Sequence, residues 1–282
     1  MRGPGFKGDD VTELLRHVAA AAALRLPSHY RPLRLGGEDI GFVTSTVADA
    51  LQHQVFAAAG NAMVLDDASA LARAQATLAA AGLLRLRGEA FDVRATPGGP
   101  VLGQVDRGAL PVFGIAAEGV HVNGLVRGDE GWRLWVARRA ATKLLDPGKL
   151  DHMVAGGICA GMDAAGTVAK EAGEEAGVPP GLARQARLAG VITYAMERPE
   201  GLRRDRLYCY DLEVPPDFAP APRDGEVESF SLMRLDEVLA RVRDTDDFKF
   251  NVNLVLIQLF VRLGLADAET FAAEGREIGI VS

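Results

Sequence analysis

Residues 156–178 read "GGICAGMDAAGTVAKEAGEEAGV". A glycine pair opens a loop of small residues, and a run carrying Glu171, Glu174 and Glu175 follows it. The pattern predicts a helix over 163–176 that stops at Gly177, with Pro179 and Pro180 beyond it. On such a helix the three glutamates stand at i, i+3 and i+4 and share one face. Like charges at i,i+4 weaken a helix by about 0.2–0.5 kcal/mol, and an interior glycine such as Gly173 costs up to about 1 kcal/mol more. A partner outside the helix would offset this, and a divalent cation suits three carboxylates. The competing reading is a solvated acidic face helped by a Lys170–Glu174 pair. The glycine loop at fixed spacing favours the metal site.

The segments around this stretch alternate between strand and helix patterns. "PVFGIAAEGVHVNGLV" and "GWRLWVARRA" read as strands, with turns at Glu118-Gly119 and Gly128–Gly131. "HMVAGG" is a short apolar strand that runs into the loop. "LAGVITYAM", "DRLYCYDLEV" and "ESFSLMRL" are three further strands, while "LDEVLARVRD" and "FNVNLVLIQLFVRLGL" are helices. The last is apolar on most faces, so it belongs in the core. This order predicts an α/β (α+β) fold: a mixed sheet with helices packed on it.

Before residue 108 the texture differs. A helix is expected over 10–25, from an Asp10 N-cap to Pro27. "RPLRLGGEDIGFV" reads as two strands around Gly36-Gly37, then a helix capped near Thr44. Residues 66–82 form a helix ending at Gly82, and 83–95 a hairpin turning at Arg87–Glu89. The domains are placed at 1–108, a small α+β accessory domain, and 109–282. A winged helix is the rival for the first, but its eleven Lys and Arg are matched by eleven Asp and Glu. A DNA-binding wing needs a basic excess. The accessory domain is read as shaping a pocket or a homodimer.

With 282 residues, 48% hydrophobic and 24% charged, the composition is ordinary for a globular chain. A net charge of −7 argues against a nucleic-acid partner. No apolar run reaches the ~20 residues of a membrane span, so no membrane partner is expected. Two cysteines, Cys159 and Cys209, give no disulfide framework, and the expected location is the cytoplasm.

The loop and helix resemble the Nudix hydrolase box. Counting from Gly156, its spacing reaches Met162, Lys170, Glu171, Glu174, Glu175, Gly177 and Val178. Met162 stands where the family has a glutamate, with Asp163 adjacent, and Lys170 replaces an arginine. "LWVARRAATKLLDPGKLDHMVAGGICAGM", "DGEVESFSLM" and "DFKFNVNLVLIQLFVRLG" narrow the resemblance. They are similar to a two-domain group that includes plant Nudix enzymes and the Nudix domain fused to fungal thiamine pyrophosphokinase.

The resemblance implies a Nudix-type sheet and cleavage of a small-molecule diphosphate, with thiamine diphosphate or its oxidised derivatives as substrates. It implies Mg²⁺, or Mn²⁺ in its place, on Glu171, Glu174 and Glu175. The catalytic candidates are Glu174 and Glu226, with Glu228 as a second choice of base. The substrate-binding candidates are Arg139, Lys143, Gly156, Gly157 and Lys249. Two alternatives are carried: a catalytically silent Nudix-fold binding module, and an enzyme like isopentenyl-diphosphate isomerase. The second uses a cysteine and a histidine metal site, and neither is visible in the sequence. Cys159 reads as a small loop residue, and His152 as a surface or hydrogen-bonded one. Tyr194, Trp135 and Phe250 read as core ahead of ring-stacking roles.

Overall fold

A computed structural model of the chain describes residues 12–22, 29–52, 57–59 and 61–281. The expected N-cap at Asp10 and stop at Pro27 lie outside the described residues. A 3₁₀ turn, Thr12–Leu14, leads into α1, Leu15–Ala22. Strands β1 (Tyr30–Leu35) and β2 (Glu38–Thr44) follow, joined at Gly36 and Gly37, whose φ values of 58° and 91° suit glycine. Helix α2 (Ser45–Leu51) starts where the Thr44 side chain accepts the Val47 N–H at 3.3 Å. Strands β3 (Ala57–Ala59) and β4 (Ala62–Leu65) complete a four-stranded sheet ordered β2-β1-β4-β3. Helix α3 (Ala68–Ala80) buries Ala70, Leu71, Ala74 and Leu78, one stripe at helical spacing.

The hairpin expected over 83–95 forms differently. Strand β5 is only Ala90–Val93, and its partner is β6, Gly103–Asp106. The Pro97–Pro100 segment is thus the loop inside the hairpin. Residues 83–89 are spent on α3's exit, where Leu83 and Leu84 return N–H groups to Leu78 O at 2.9 and 3.2 Å.

Beyond it lie α4 (Ala109–Val112), β7 (Ala116–Gly128), β8 (Gly131–Arg139), β9 (Leu150–His152) and β10 (Val154–Gly157). Then come α5 (Ala164–Ala176), α6 (Pro180–Ala183), β11 (Arg187–Arg198), β12 (Gly201–Glu213) and β13 (Val227–Arg234). Helices α7 (Leu235–Asp244) and α8 (Phe250–Arg262), a 3₁₀ turn Ala268–Phe271 and α9 (Glu274–Glu277) close the chain. The seven-stranded sheet runs β11-β12-β7-β8-β13, with β10 on β7 and β9 on β8. The fold is mixed α/β, with a mixed sheet covered by helices.

The start of β7 departs from expectation. Residues 109–112 are helical, and Glu118-Gly119 is no turn but continuous strand. Gly119 faces Leu207 of β12 on one side and Gly157 of β10 on the other. A Cβ there would stand 3.1 Å from Gly156 O, so the glycine marks a close strand approach.

Packing crosses residue 108 in both directions. Leu110, Phe113 and Ile115 join the core of the N-terminal sheet, with Leu33, Leu71 and Phe91. Leu14, Val18 and Ala21 join the core under α7 and α8. Ten consecutive residues of α8, Asn251–Phe260, are buried. Among the described residues no helix is long and apolar enough to cross a membrane.

Candidate active site

Helix α5 starts at Asp163, whose carboxylate accepts the Gly166 N–H at 2.7 Å, and ends at Gly177 with φ 64°. Asp163 is thereby used as a cap, and its neighbour Met162 packs against the apolar cluster beneath the helix. That cluster takes Val168, Ala172 and Ala176, and this inward stripe also carries Glu175. The three glutamates therefore meet different surroundings. Glu175 is 7% exposed, whereas the Glu171 and Glu174 side chains are 15% and 54% exposed. Lys170 bridges the latter two at 2.9 and 2.8 Å.

Glu175 accepts the Ala155 N–H at 2.9 Å. Burial pushes its pKa well above the usual carboxylate range. The Ala155 N–H opposes that shift, and the charges of Asp151, Glu171 and Glu226 reinforce it. A tight turn after β12 brings in two further carboxylates. Gly225 has φ 79°, and Asp224 accepts the Glu226 N–H at 2.8 Å. Glu226 O accepts the Ala140 N–H at 2.9 Å, which docks the turn on the end of β8. Carboxylate oxygens of Glu175, Asp224 and Glu226 lie within 4.8 Å of one another. This is a hard oxygen donor set, which fits Mg²⁺ or Mn²⁺. Burial would raise Glu226, but the ammonium of Lys143, bonded to it, outweighs this, helped by Arg107 and Arg139, and its pKa is lowered.

Of these carboxylates, Asp224 and Glu226 line a cleft of about 830 Å³, together with Gly156, Gly157, Lys143, Arg139, Lys249, Glu171 and Glu174. The Arg139 guanidinium holds the loop that follows β8. It donates to Asp146 O at 3.0 Å, Leu145 O at 2.7 Å and the Asp151 carboxylate at 2.8 Å. Lys249 is half-buried at the start of α8, with its ammonium 3.8 Å from Asp151.

Behind them sits a polar network that sequence reasoning missed. The Nδ1 atoms of His121 and His152 are 2.9 Å apart, and Asp151 accepts the His152 N–H at 2.9 Å. All three are buried, so His152 is a hydrogen-bonded interior residue. Burial holds both imidazoles neutral, His152 down to about 4. His121, Asp151 and His152 also lie close enough to share a metal ion. Arg139 and Lys249 against Asp151 oppose a cation there, and the network reads as a hydrogen-bonded floor. Cys159 is half-buried with its thiol pushed up by burial, which fits an inert loop residue. Tyr194 is core, bonded to Asp205 and edge-on to Phe250 at 6.0 Å.

The glycine loop is clamped on both sides. A Cβ on Gly156 would lie 2.5 Å from Glu171 Cγ, and one on Gly157 would lie 2.6 Å from Phe91 Cζ. Ala160 donates its N–H to Ala90 O at 2.8 Å, and Gly161 to the Asp92 carboxylate at 3.2 Å. Strand β5 of the N-terminal region thus seats the loop. The contributions of Phe91, Asp92 and Asp224 carried no local sequence signal beyond the Asp-Gly-Glu turn itself.

The NUDIX domain family profile matches residues 118–253, the span that holds the loop, α5 and Glu226. The chain carries a Nudix domain. Over 185 residues it is 40% identical to Nudix hydrolase 20, chloroplastic, of Arabidopsis thaliana, covering 66% of this chain and 50% of that protein. Nudix hydrolase 24, chloroplastic, of the same plant is also 40% identical over 185 residues, 66% of this chain and 51% of its own. The chain spans about half the length of the curated relatives it matches. The crystal structure of DR0079 from Deinococcus radiodurans superposes with a TM-score of 0.45 at 19% identity, over 60% of this chain and 97% of that one. The matched span begins at the strand residue Glu118, so the β5 clamp on its loop comes from outside it.

Proposed function

We propose that the protein hydrolyses a diphosphate linkage in a small molecule, with Mg²⁺ or Mn²⁺ as cofactor. The observation that supports this most is the meeting of Glu175, Asp224 and Glu226 within 4.8 Å beside the cleft. In this reading Glu175 and Asp224 hold the cation, with Glu171 and Glu174 on the same helix beside them. When bound, it would lower the pKa of a water and stabilise charge on the departing phosphate. Glu226, kept ionised by Lys143, takes the proton of the attacking water. Glu174, the exposed carboxylate of α5, is the second catalytic group and orients that water. Lys143 and Lys249 bind phosphate oxygens, and the backbone at Gly156 and Gly157 forms part of the cleft wall that the substrate meets. Arg139 holds the loop that carries Lys143.

Thiamine diphosphate and its oxidised derivatives are the substrates we put first, on the family resemblance. The partners in this reading are small molecules, and the location is the cytoplasm. The test is a phosphate-release screen over thiamine diphosphates, nucleoside diphosphate derivatives and dinucleotides, with and without Mg²⁺. Metal-dependent release that is lost in Glu226→Gln is the expected result. Release from none of them would replace the hydrolase with the silent binding module.

A further inference from the structure

One wall of the cleft belongs to the N-terminal region and takes no part in the proposed reaction. Its base is the end of the β5–β6 hairpin, which Asp106 holds rigid. One carboxylate oxygen of Asp106 accepts the N–H groups of Arg87 and Gly108 at 2.8 and 2.7 Å, and the other that of Gly88 at 2.7 Å. Arg107 closes the ring by donating its N–H to Glu89 O at 2.7 Å. From this base the Arg87 and Arg107 side chains both line the cleft, together with Arg203 of β12.

Their partners differ. Arg203 is committed to Asp205 at 2.9 Å and faces Glu200 at 3.5 Å. Arg107 pairs with Glu89 at 3.0 Å, with both side chains near 40% exposed. Among the described residues Arg87 has no hydrogen-bonded or ion-paired side-chain partner. Burial lowers its pKa, and the charges of Arg107 and Arg203 add to this, outweighing Glu200 and Glu89. An arginine does not deprotonate in a protein, so this crowding is relieved by an anion and not by proton loss. Arg107 also acts on Glu226, which puts the cationic wall next to the carboxylates of the reaction site.

We propose that Arg87 and Arg107, backed by Arg203, form an oxyanion subsite that takes the terminal phosphate of the substrate. The guanidinium fork matches a phosphate's oxygens bidentately, and a doubly charged terminal group gains most from two adjacent forks. The substrate class is then a diphosphate monoester with a free end, in preference to a dinucleotide whose phosphates are capped on both sides. As far as the bound phosphate is the substrate's, the assignment rests on the hydrolase reading.

The test uses the full chain and inorganic phosphate as probe, titrated calorimetrically into wild type, Arg87→Gln, Arg107→Gln and Arg87→Lys. Each Gln variant is expected to weaken phosphate binding by about tenfold, the scale of a lost charge-assisted hydrogen bond. Arg87→Lys should recover part of it. In the two Arg87 variants the melting temperature and Mn²⁺ affinity should stay at wild-type values, since the Arg87 side chain holds no other group. In turnover the KM for a diphosphate monoester should rise about as much, with kcat little changed. Phosphate affinity unchanged in both Gln variants, or no phosphate binding by wild type, overturns the subsite. If arginine-dependent phosphate binding is found but no diphosphate is hydrolysed, the subsite stands and the hydrolase reading falls. Hydrolysis that is indifferent to both arginines keeps the hydrolase and removes the subsite.

Discussion

The Asp92 carboxylate, on a strand of the N-terminal region, accepts the amide N–H of Gly161 in the Nudix loop at 3.2 Å. Its neighbour Ala90 receives the Ala160 N–H at 2.8 Å, so two consecutive loop amides hang on one strand. Asp92 is itself fixed by Arg94 and Gln104, each at 3.1 Å. Removing it leaves a loop N–H without its charged acceptor. We expect Asp92→Ala to lower stability by about 1–2 kcal/mol and to speed hydrogen exchange at Gly161, while Asp92→Asn, which keeps an acceptor oxygen, restores most of the protection. Equal exchange in wild type and Asp92→Ala would remove the clamp.

Gly157 and Phe91 form the apolar half of the same clamp. A methyl on Gly157 would meet the end of the Phe91 ring at 2.6 Å. Gly157→Ala should therefore destabilise the protein by roughly 1–3 kcal/mol, the usual range for overpacking. Phe91→Leu vacates that contact, so the double variant should be more stable than the sum of the two changes predicts. A denaturant-unfolding cycle measures the coupling, and strict additivity would show that the two side chains do not meet.

Buried Glu175 makes a pH-dependent prediction for the metal-free protein. Its folded pKa is raised above the unfolded value of about 4.3, so the folded state holds its proton more tightly. The stability it contributes is present below that unfolded value and is lost as pH rises through the folded pKa. Glu175→Gln keeps the acceptor for the Ala155 N–H and removes the charge. In EDTA its melting temperature should exceed that of wild type at pH 8, and the gain should shrink towards pH 4. A variant that melts lower than wild type at pH 8 would mean that Glu175 is comfortably ionised in the fold.

Divalent cations should act in the opposite sense. A ligand bound only by the folded state stabilises it by about 2.7 kcal/mol at a hundredfold excess over its Kd. Mg²⁺ or Mn²⁺ should raise the wild-type melting temperature by several degrees, and Glu175→Gln with Asp224→Asn should erase most of the rise. Monovalent salt at matched ionic strength is the control for plain screening. The same rise with NaCl would return α5 to a solvated acidic helix.

Much of the fold is encoded locally. The helix over 164–176, its Gly177 stop and the inward run of α8 follow from periodicity and caps, which act over a few residues. The Gly156-Gly157 pair and the glutamate spacing match the Nudix box on sequence alone. The local rules failed where distant chain intervened. Gly119 looked like a turn because a glycine beside a charged residue usually is one, yet it lies between β10 and β12, whose positions no local pattern records.

By itself the sequence determined the family and the helix that carries Glu171, Glu174 and Glu175. It could not say which of them turns inward, because that depends on which face of α5 the sheet covers. Tertiary packing decided that Glu175 is buried, that Asp224 and Glu226 join it from a turn some fifty residues on, and that Lys170 occupies the other two. It also decided that strand β5, outside the matched family span, holds the glycine loop. The physical reason is range: caps and periodicity act within a turn or two of helix, whereas burial and carboxylate clustering depend on whatever the fold brings alongside.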